Sequence, residues 1–202
     1  MREQTYVFLA VLLIVALGFG VYFGGDRTKQ SVSGAALASA PSSVTVQGII
    51  AVTLSANLGD GIAFGNIASL PAADIAATNN ADGAGSISTM YVNIIASTNT
   101  LVDICIKGSG DMASGGNTIP LAGYTYGTSL LGNGNPAGPV GSVSLTTSYA
   151  VPPNYNAIPD TVADQLAYFR YWLDIPSATQ AAGTYTNSVE FSIVQDGLPC
   201  GT

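Results

Sequence analysis

Asp160 and Asp164 are the closest pair of carboxylates that the sequence places outside its predicted strands. Two neighbouring acids are the minimal equipment for glycoside hydrolysis, one protonated as general acid and one ionised as base or nucleophile. Their setting, "AIPDTVADQLAY", reads more simply as a capped or solvated turn. Asp60, Asp82 and Asp111 lie in Gly/Asn-rich segments and offer oxygen ligands to calcium, without EF-hand or nonapeptide spacing. Tyr124, Tyr126, Tyr168 and Trp172 have the flat faces that stack on sugars, and equally the bulk that fills a core. The chain contains no histidine, which removes His-based triads and imidazole metal sites. G-x-S-x-G, P-loop and C-x-x-C patterns are missing as well. This inventory predicts a protein that is not an enzyme, with no catalytic, cofactor-binding or metal-binding residues.

The two cysteines, Cys105 and Cys200, carry the remaining chemistry. Cys105 sits on the outward side of an alternating strand, and Cys200 in the tail "QDGLPCGT". In an oxidising compartment an intramolecular bridge would pin that tail across a sheet. Two free thiols, or a link between subunits, are the alternatives. A bridge closing so long a loop is worth roughly 4–5 kcal/mol in the chain-entropy description.

The rest of the composition sets the compartment. Of 202 residues 48% are hydrophobic but only 8% charged, far below the roughly 25% usual for soluble domains. Beyond residue 30 the only bases are Lys107 and Arg170, against ten acids, a net of −8. Without a basic stripe to neutralise phosphates, nucleic acid is not an expected partner. Thr5 to Gly25 is an uncharged apolar run, long enough to cross a bilayer as a helix. Residues 1–30 are therefore expected to be a signal peptide or a transmembrane anchor, which contacts the membrane if uncleaved. Ala36-Leu37-Ala38 offers an A-x-A cleavage site, although far from the run. Arg27 and Lys29 outnumber Arg2 and favour the opposite orientation, but the polar, charge-poor remainder fits a secreted or cell-surface protein.

The elements that would position these residues have a period of two. Val44, Val46, Gly48, Ile50, Val52 and Leu54 share one face of a predicted strand; Met90, Val92 and Ile94 share another. Val102, Ile104 and Ile106 alternate with Asp103, Cys105 and Lys107. Phe169, Tyr171, Leu173 and Ile175 oppose Arg170 and Asp174, and Val189, Phe191 and Ile193 oppose Glu190 and Ser192. Weaker strands are expected at 61–67, 119–126 and 143–149, and a helical turn at 161–168. About eight strands without an amphipathic helix predict an all-β fold: one antiparallel β-sandwich, Ig-like or jelly-roll-like, over residues 44–202, preceded by an N-terminal hydrophobic helix. The predicted core includes Phe169, Tyr171, Leu173, Val189, Phe191 and Ile193.

"GIAFGNI" (61–67) followed by "YWLDIPSATQAAGTYTNSVEFSIV" (171–194) resembles a pattern of secreted pilin-type sandwiches. The similarity is to archaeal bundling pilins and TasA/camelysin fibre proteins, and more distantly to spore-coat-U-type pilins. It covers the 31 residues of these two stretches. The resemblance implies a structural subunit of an extracellular filament, a homopolymer assembled by donor-strand complementation. Residues 31–43 would then be linker or donor strand. In "SVSGAALASAPSS" the side chains of Val32, Gly34, Ala36 and Ala38 would share one face, opposite Leu37. A plain stalk, or a segment removed by signal peptidase, is the alternative for that stretch. For the whole protein the alternatives are a membrane-anchored monomeric binding or adhesion module, a type IV pilin and a surface glycosidase.

Overall fold

The computed structural model describes residues 44–81, 86–159, 163–177 and 180–201. The hydrophobic run, the candidate donor residues Val32 to Ala38, Asp82 and Asp160 lie outside them. Among the described residues no helix is long and apolar enough to cross a membrane.

The fold is all-β and antiparallel. Ten strands are β1 (Val52–Leu54), β2 (Ala72–Ala76), β3 (Met90–Ile94), β4 (Val102–Gly108), β5 (Met112–Ser114), β6 (Asn117–Ile119), β7 (Tyr124–Thr128), β8 (Val143–Ser144), β9 (Gln165–Ile175) and β10 (Val189–Gln195). The larger sheet runs β1-β3-β9-β7-β8, with β2 alongside β9 beyond the end of β3. In the second sheet β10 pairs with β4. The far side of β4 is covered by bridges to Ala150 and Ile158. β5 and β6 form a hairpin tied to the chain before β10 by the Ala113–Thr186 bridge.

The alternation read from the sequence decides which side chains meet. Met90 lies opposite Phe169 and Val92 opposite Ala167, so β3 and β9 present Met90, Val92, Phe169 and Tyr171 on one face, all fully buried. In the second sheet Ile104 and Ile106 of β4 lie opposite Ile193 and Phe191 of β10, and these four side chains pack into the same core. Across the gap the Phe169 and Phe191 rings meet edge to face at 5.3 Å. Tyr155 adds a second edge on Phe169 at 5.2 Å. This core is β-sandwich-like, two apolar sheet faces burying each other.

Outward residues of β9 are buried by loops. The Arg170 guanidinium donates to the carbonyls of Asn80 (2.9 Å), Ala81 (2.8 Å), Ser86 (3.0 Å) and Pro136 (3.1 Å), and to Asn135 Oδ1 (2.8 Å). The segments on either side of residues 82–85 and the 135–136 turn are thus held by one cation whose donors are satisfied, as burial requires. Gly138 lies so close to the indole of Trp172 that a Cβ there would come within 2.2 Å of its Cη2. Tyr124, Tyr126, Tyr168 and Trp172 are all buried, which takes them into packing and away from sugar stacking.

Several expected elements differ. The strand expected at 119–126 is instead the end of β6, a 3-10 turn over Leu121–Gly123 and the start of β7, and the one expected at 143–149 shortens to Val143–Ser144. The first strand was expected over 44–54, but only Val52–Leu54 pairs with β3. β3 ends at Ile94 and the chain turns, so Thr98 and Asn99 take over the backbone: Asn99 Oδ1 accepts from Ile49 N (2.5 Å) and Thr98 Oγ1 from Ala51 N (3.1 Å). Residues 61–67 form no strand, because two glycines in left-handed conformation, Gly61 and Gly65, interrupt the run. The helical turn expected at 161–168 gives way to β9, which starts at Gln165 and pairs there with Ile94.

Candidate functional site

The bridge between Cys105 and Cys200 is formed, with an S–S distance of 2.05 Å. Cys105 faces outward from β4, as the alternation requires, yet the tail that it anchors buries it completely. The same face carries Lys107, whose Nζ lies 3.2 Å from Glu190 Oε2 and 4.5 Å from the centre of the Tyr149 ring. This is a solvated ion pair on a sheet surface, and it offers no reacting geometry.

The carboxylates serve the backbone. Asp103 Oδ1 accepts from Ala157 N (2.7 Å), Asp111 Oδ1 from Leu121 N (2.8 Å) and Asp174 Oδ1 from Asp74 N (2.7 Å). Asp164 accepts from Ala96 N (2.9 Å) and Asn93 Nδ2 (3.1 Å), and these two bonds, the backbone one foremost, hold its pKa below the ordinary value. Asp60 closes a short helical turn as its C-terminal cap. Among the described residues no three His, Cys, Asp or Glu side chains gather as a metal site. Of the calcium candidates, Asp111 spends one carboxylate oxygen on the Leu121 amide, whereas Asp60 caps its turn through its backbone N–H.

The feature left over is a sheet edge. In β4 the N–H groups of Val102, Ile104, Ile106 and Gly108 donate away from β10, to the carbonyls of Ile158, Tyr155, Ala150 and Thr146. The antiparallel register then turns the backbone of Glu190, Ser192 and Val194 toward β4, and that of Val189, Phe191 and Ile193 outward. Among the described residues no group hydrogen-bonds to those three outward amides. Their side chains point into the sandwich but are only half-buried, unlike the sealed Phe169, Tyr171 and Leu173. The expectation that all six are buried therefore holds for Phe169, Tyr171 and Leu173 and fails for Val189, Phe191 and Ile193. An edge strand lacks the neighbour that would cover the inward side chains from that side.

The larger sheet is incomplete on a flank of its own. Ile62, Phe64, Ile67 and Leu70, from the stretch that forms no strand, are half-buried against the core. Between this stretch, the end of β9 (Leu173, Ile175), the β5–β6 hairpin (Met112, Ile119) and residues 180–185 lies a cavity of about 650 Å³. Phe64 reaches the core through an edge-to-face contact with Tyr124 at 5.2 Å. The two resemblance-bearing motifs, GIAFGNI and AAGTY, thus face one another as walls of this cavity.

The inner aromatics leave one polar atom unspent. The Tyr171 hydroxyl is buried with no hydrogen-bond partner among the described residues, and burial raises its pKa well above the ordinary value. Tyr155, which donates to Tyr168 O (2.5 Å), is pushed up to about 12 by the same burial. Both phenols stay protonated at any physiological pH.

No family model, curated protein or solved structure matches the chain. Among the described residues the domain combines an unpaired backbone edge, flanked by incompletely covered apolar side chains, with a cavity at one end of the sandwich. Sequence reasoning missed this pairing, because no local pattern marks which strand will lack a neighbour.

Proposed function

We propose that the protein is a structural subunit of an extracellular or cell-surface filament, held together by strands donated between copies. The observation that carries this reading is the outer edge of β10: three amides without a partner among the described residues, above half-buried Val189, Phe191 and Ile193. An added strand would satisfy those amides and cover those side chains in one step, which is how β-augmentation obtains both affinity and register. The candidate donor is the segment 31–43, with Val32, Gly34, Ala36 and Ala38 on one face and Leu37 on the other. Val44 and Val46 continue its alternation and are 87% and 77% exposed. Small side chains suit insertion beside an existing core. In this reading the domain is an Ig-like or jelly-roll-like sandwich short of one strand. Residues 1–30 deliver it across the membrane as signal peptide or anchor, and the product is a homopolymer.

Deletion of residues 31–40 is the direct test. Lost polymer with an unchanged thermal melt is expected, and Ala36→Pro should weaken assembly in the same direction by removing a ladder donor. Normal polymer from the deleted protein would reduce the segment to a tether. The cavity of about 650 Å³ favours a second reading, an anchored module that binds a small apolar ligand there. That reading gains if no polymer forms at any concentration.

A further inference from the structure

Asn133-Gly134 is the only Asn-Gly pair in the chain. It lies in the loop after β7, where exposed Asn133 accepts at Oδ1 from Asn135 N (3.1 Å), an Asx turn across Gly134. That bond folds the carboxamide back over the following peptide unit and polarises its carbonyl. Among the described residues no group bonds to the Gly134 N–H or to Asn133 Nδ2. Gly134 packs so closely on Ile87 that a side chain there would collide with it. The amide that follows Asn133 is therefore the least hindered one a chain can offer. Two other asparagines lack this combination. Asn135 precedes Pro136, which has no N–H. After Asn187 the Ser188 amide is spent on Ser109 Oγ (2.9 Å), and Asn187 Nδ2 donates to Gly110 O (3.1 Å).

We propose that Asn133 is a site of self-modification, where the chain converts its own asparagine to aspartate and isoaspartate and so loosens the clamp on Arg170. Hydroxide removes the Gly134 amide proton, and Gly134 N attacks Asn133 Cγ. The bond from Cγ to Gly134 N forms, the Cγ–Nδ2 bond breaks, and ammonia leaves from a five-membered succinimide. Water then opens the ring. Opening at Cγ restores the main chain and leaves an aspartate; opening at the backbone carbonyl carbon leaves an isoaspartate, whose main chain runs through Cβ and Cγ. The sum is one water consumed and one ammonia released, with nothing oxidised or reduced. The two products differ in what they do to the loop, which is fastened on both sides of the modified bond. Ahead of it Gly132 N donates to Leu166 O (2.9 Å) and Ser129 Oγ to Asn133 O. Beyond it Ser88 N donates to Gly134 O (2.7 Å), and Arg170 Nη1 to Asn135 Oδ1 (2.8 Å) and Pro136 O (3.1 Å). An aspartate keeps all of these and still accepts from Asn135 N. An isoaspartate inserts an extra main-chain carbon between the two sets, so both cannot stay in register. The bonds of residues 135–136 to the buried cation then weaken. None of this depends on strand donation.

The test ages the full chain at neutral and at mildly alkaline pH, folded and in urea. Peptide mass mapping reads the exchange of amide for acid, and enzymatic methylation of isoaspartate is the second probe. In the folded chain Asn133 is expected to convert at least tenfold faster than Asn187 and within tenfold of its own rate in urea, with Asn135 unchanged. The rate should rise with pH, because hydroxide generates the nucleophile. Asn133→Gln, whose longer side chain would have to close a six-membered ring, should abolish the conversion. A lead over Asn187 of less than tenfold, or a folded rate more than tenfold below that in urea, would overturn the site. Asn133→Asp stands in for the aspartate product and should melt with the wild type. The isoaspartyl fraction should melt about 2–4 °C lower, the shift that goes with the loss of about one hydrogen bond. An isoaspartyl fraction that melts with Asn133→Asp would overturn the loosening of the clamp.

Discussion

Truncating two phenylalanines that touch each other measures how open the β10 edge is. Phe169 and Phe191 pack edge to face at 5.3 Å, yet Phe169 is sealed while Phe191 is half-buried. Phe169→Ala leaves an enclosed hole, so the transfer loss and the cavity loss add to about 3–5 kcal/mol. At Phe191 water can follow the departing ring along the open edge. Most of the cavity loss then disappears, and a transfer loss of about 1.5–2.5 kcal/mol remains. The double variant should fall short of the sum by about 0.5–1.5 kcal/mol, the coupling of an aromatic pair. Urea melts of the monomer followed by tryptophan fluorescence give all three values, since Trp172 is buried under its loop. Repeating the melts with saturating donor peptide should increase the loss at Phe191, because the added strand shuts water out. Equal losses at the two sites without peptide would mean that β10 is already covered, and would refute the open groove.

Three further outcomes are expected. Cys200→Ser should destabilise the domain by about 4 kcal/mol, because the bridge closes a separation of 95 residues in the unfolded chain; a denaturant midpoint that does not move would show that the unfolded state gains nothing from it. Tyr171→Phe should be neutral or stabilise by about 1 kcal/mol, since it deletes a buried hydroxyl that has no partner among the described residues, and a clear loss would reveal a partner such as a bound water. Asp164 has its pKa lowered by the Ala96 amide and the Asn93 side chain, so its contribution is present above the ordinary carboxyl pKa and fades as pH falls through the depressed folded value. Asp164→Asn should therefore flatten the acid limb of the stability–pH curve, and an unaltered limb would discount those bonds.

The sheet core was legible because β3, β4 and β9 alternate without interruption and are flanked on both sides in the structure. Alternation reports only which side of a strand is apolar. It does not report whether a neighbour exists, which is why 44–54 read as one long strand and β10 as a covered one. β2, β5 and β6 escaped because "AADIA", "MAS" and "NTI" are too short and too rich in alanine and polar residues to show a period. Asp164 was legible as a residue serving a turn, but the amides from which Asp103, Asp111, Asp164 and Asp174 accept lie up to 100 residues away, and no local pattern names them. The cavity is likewise a product of distant segments: residues 62–70, 112, 119, 173–175 and 180–185 meet only in the folded chain.

The scarcity of cations has a consequence for turnover by trypsin-like proteases. Within residues 44–201 such an enzyme has only Lys107 and Arg170 to cut after. Lys107 lies inside β4, which is bonded along both of its sides, and Arg170 lies in β9 between β3 and β7. Neither bond can enter a protease cleft unless its sheet comes apart, so digestion tracks opening of the domain itself. A first nick after Lys107 would release nothing, because the bridge from Cys105 to Cys200 still joins the two pieces. Only a second cut, after Arg170, would free the stretch between them.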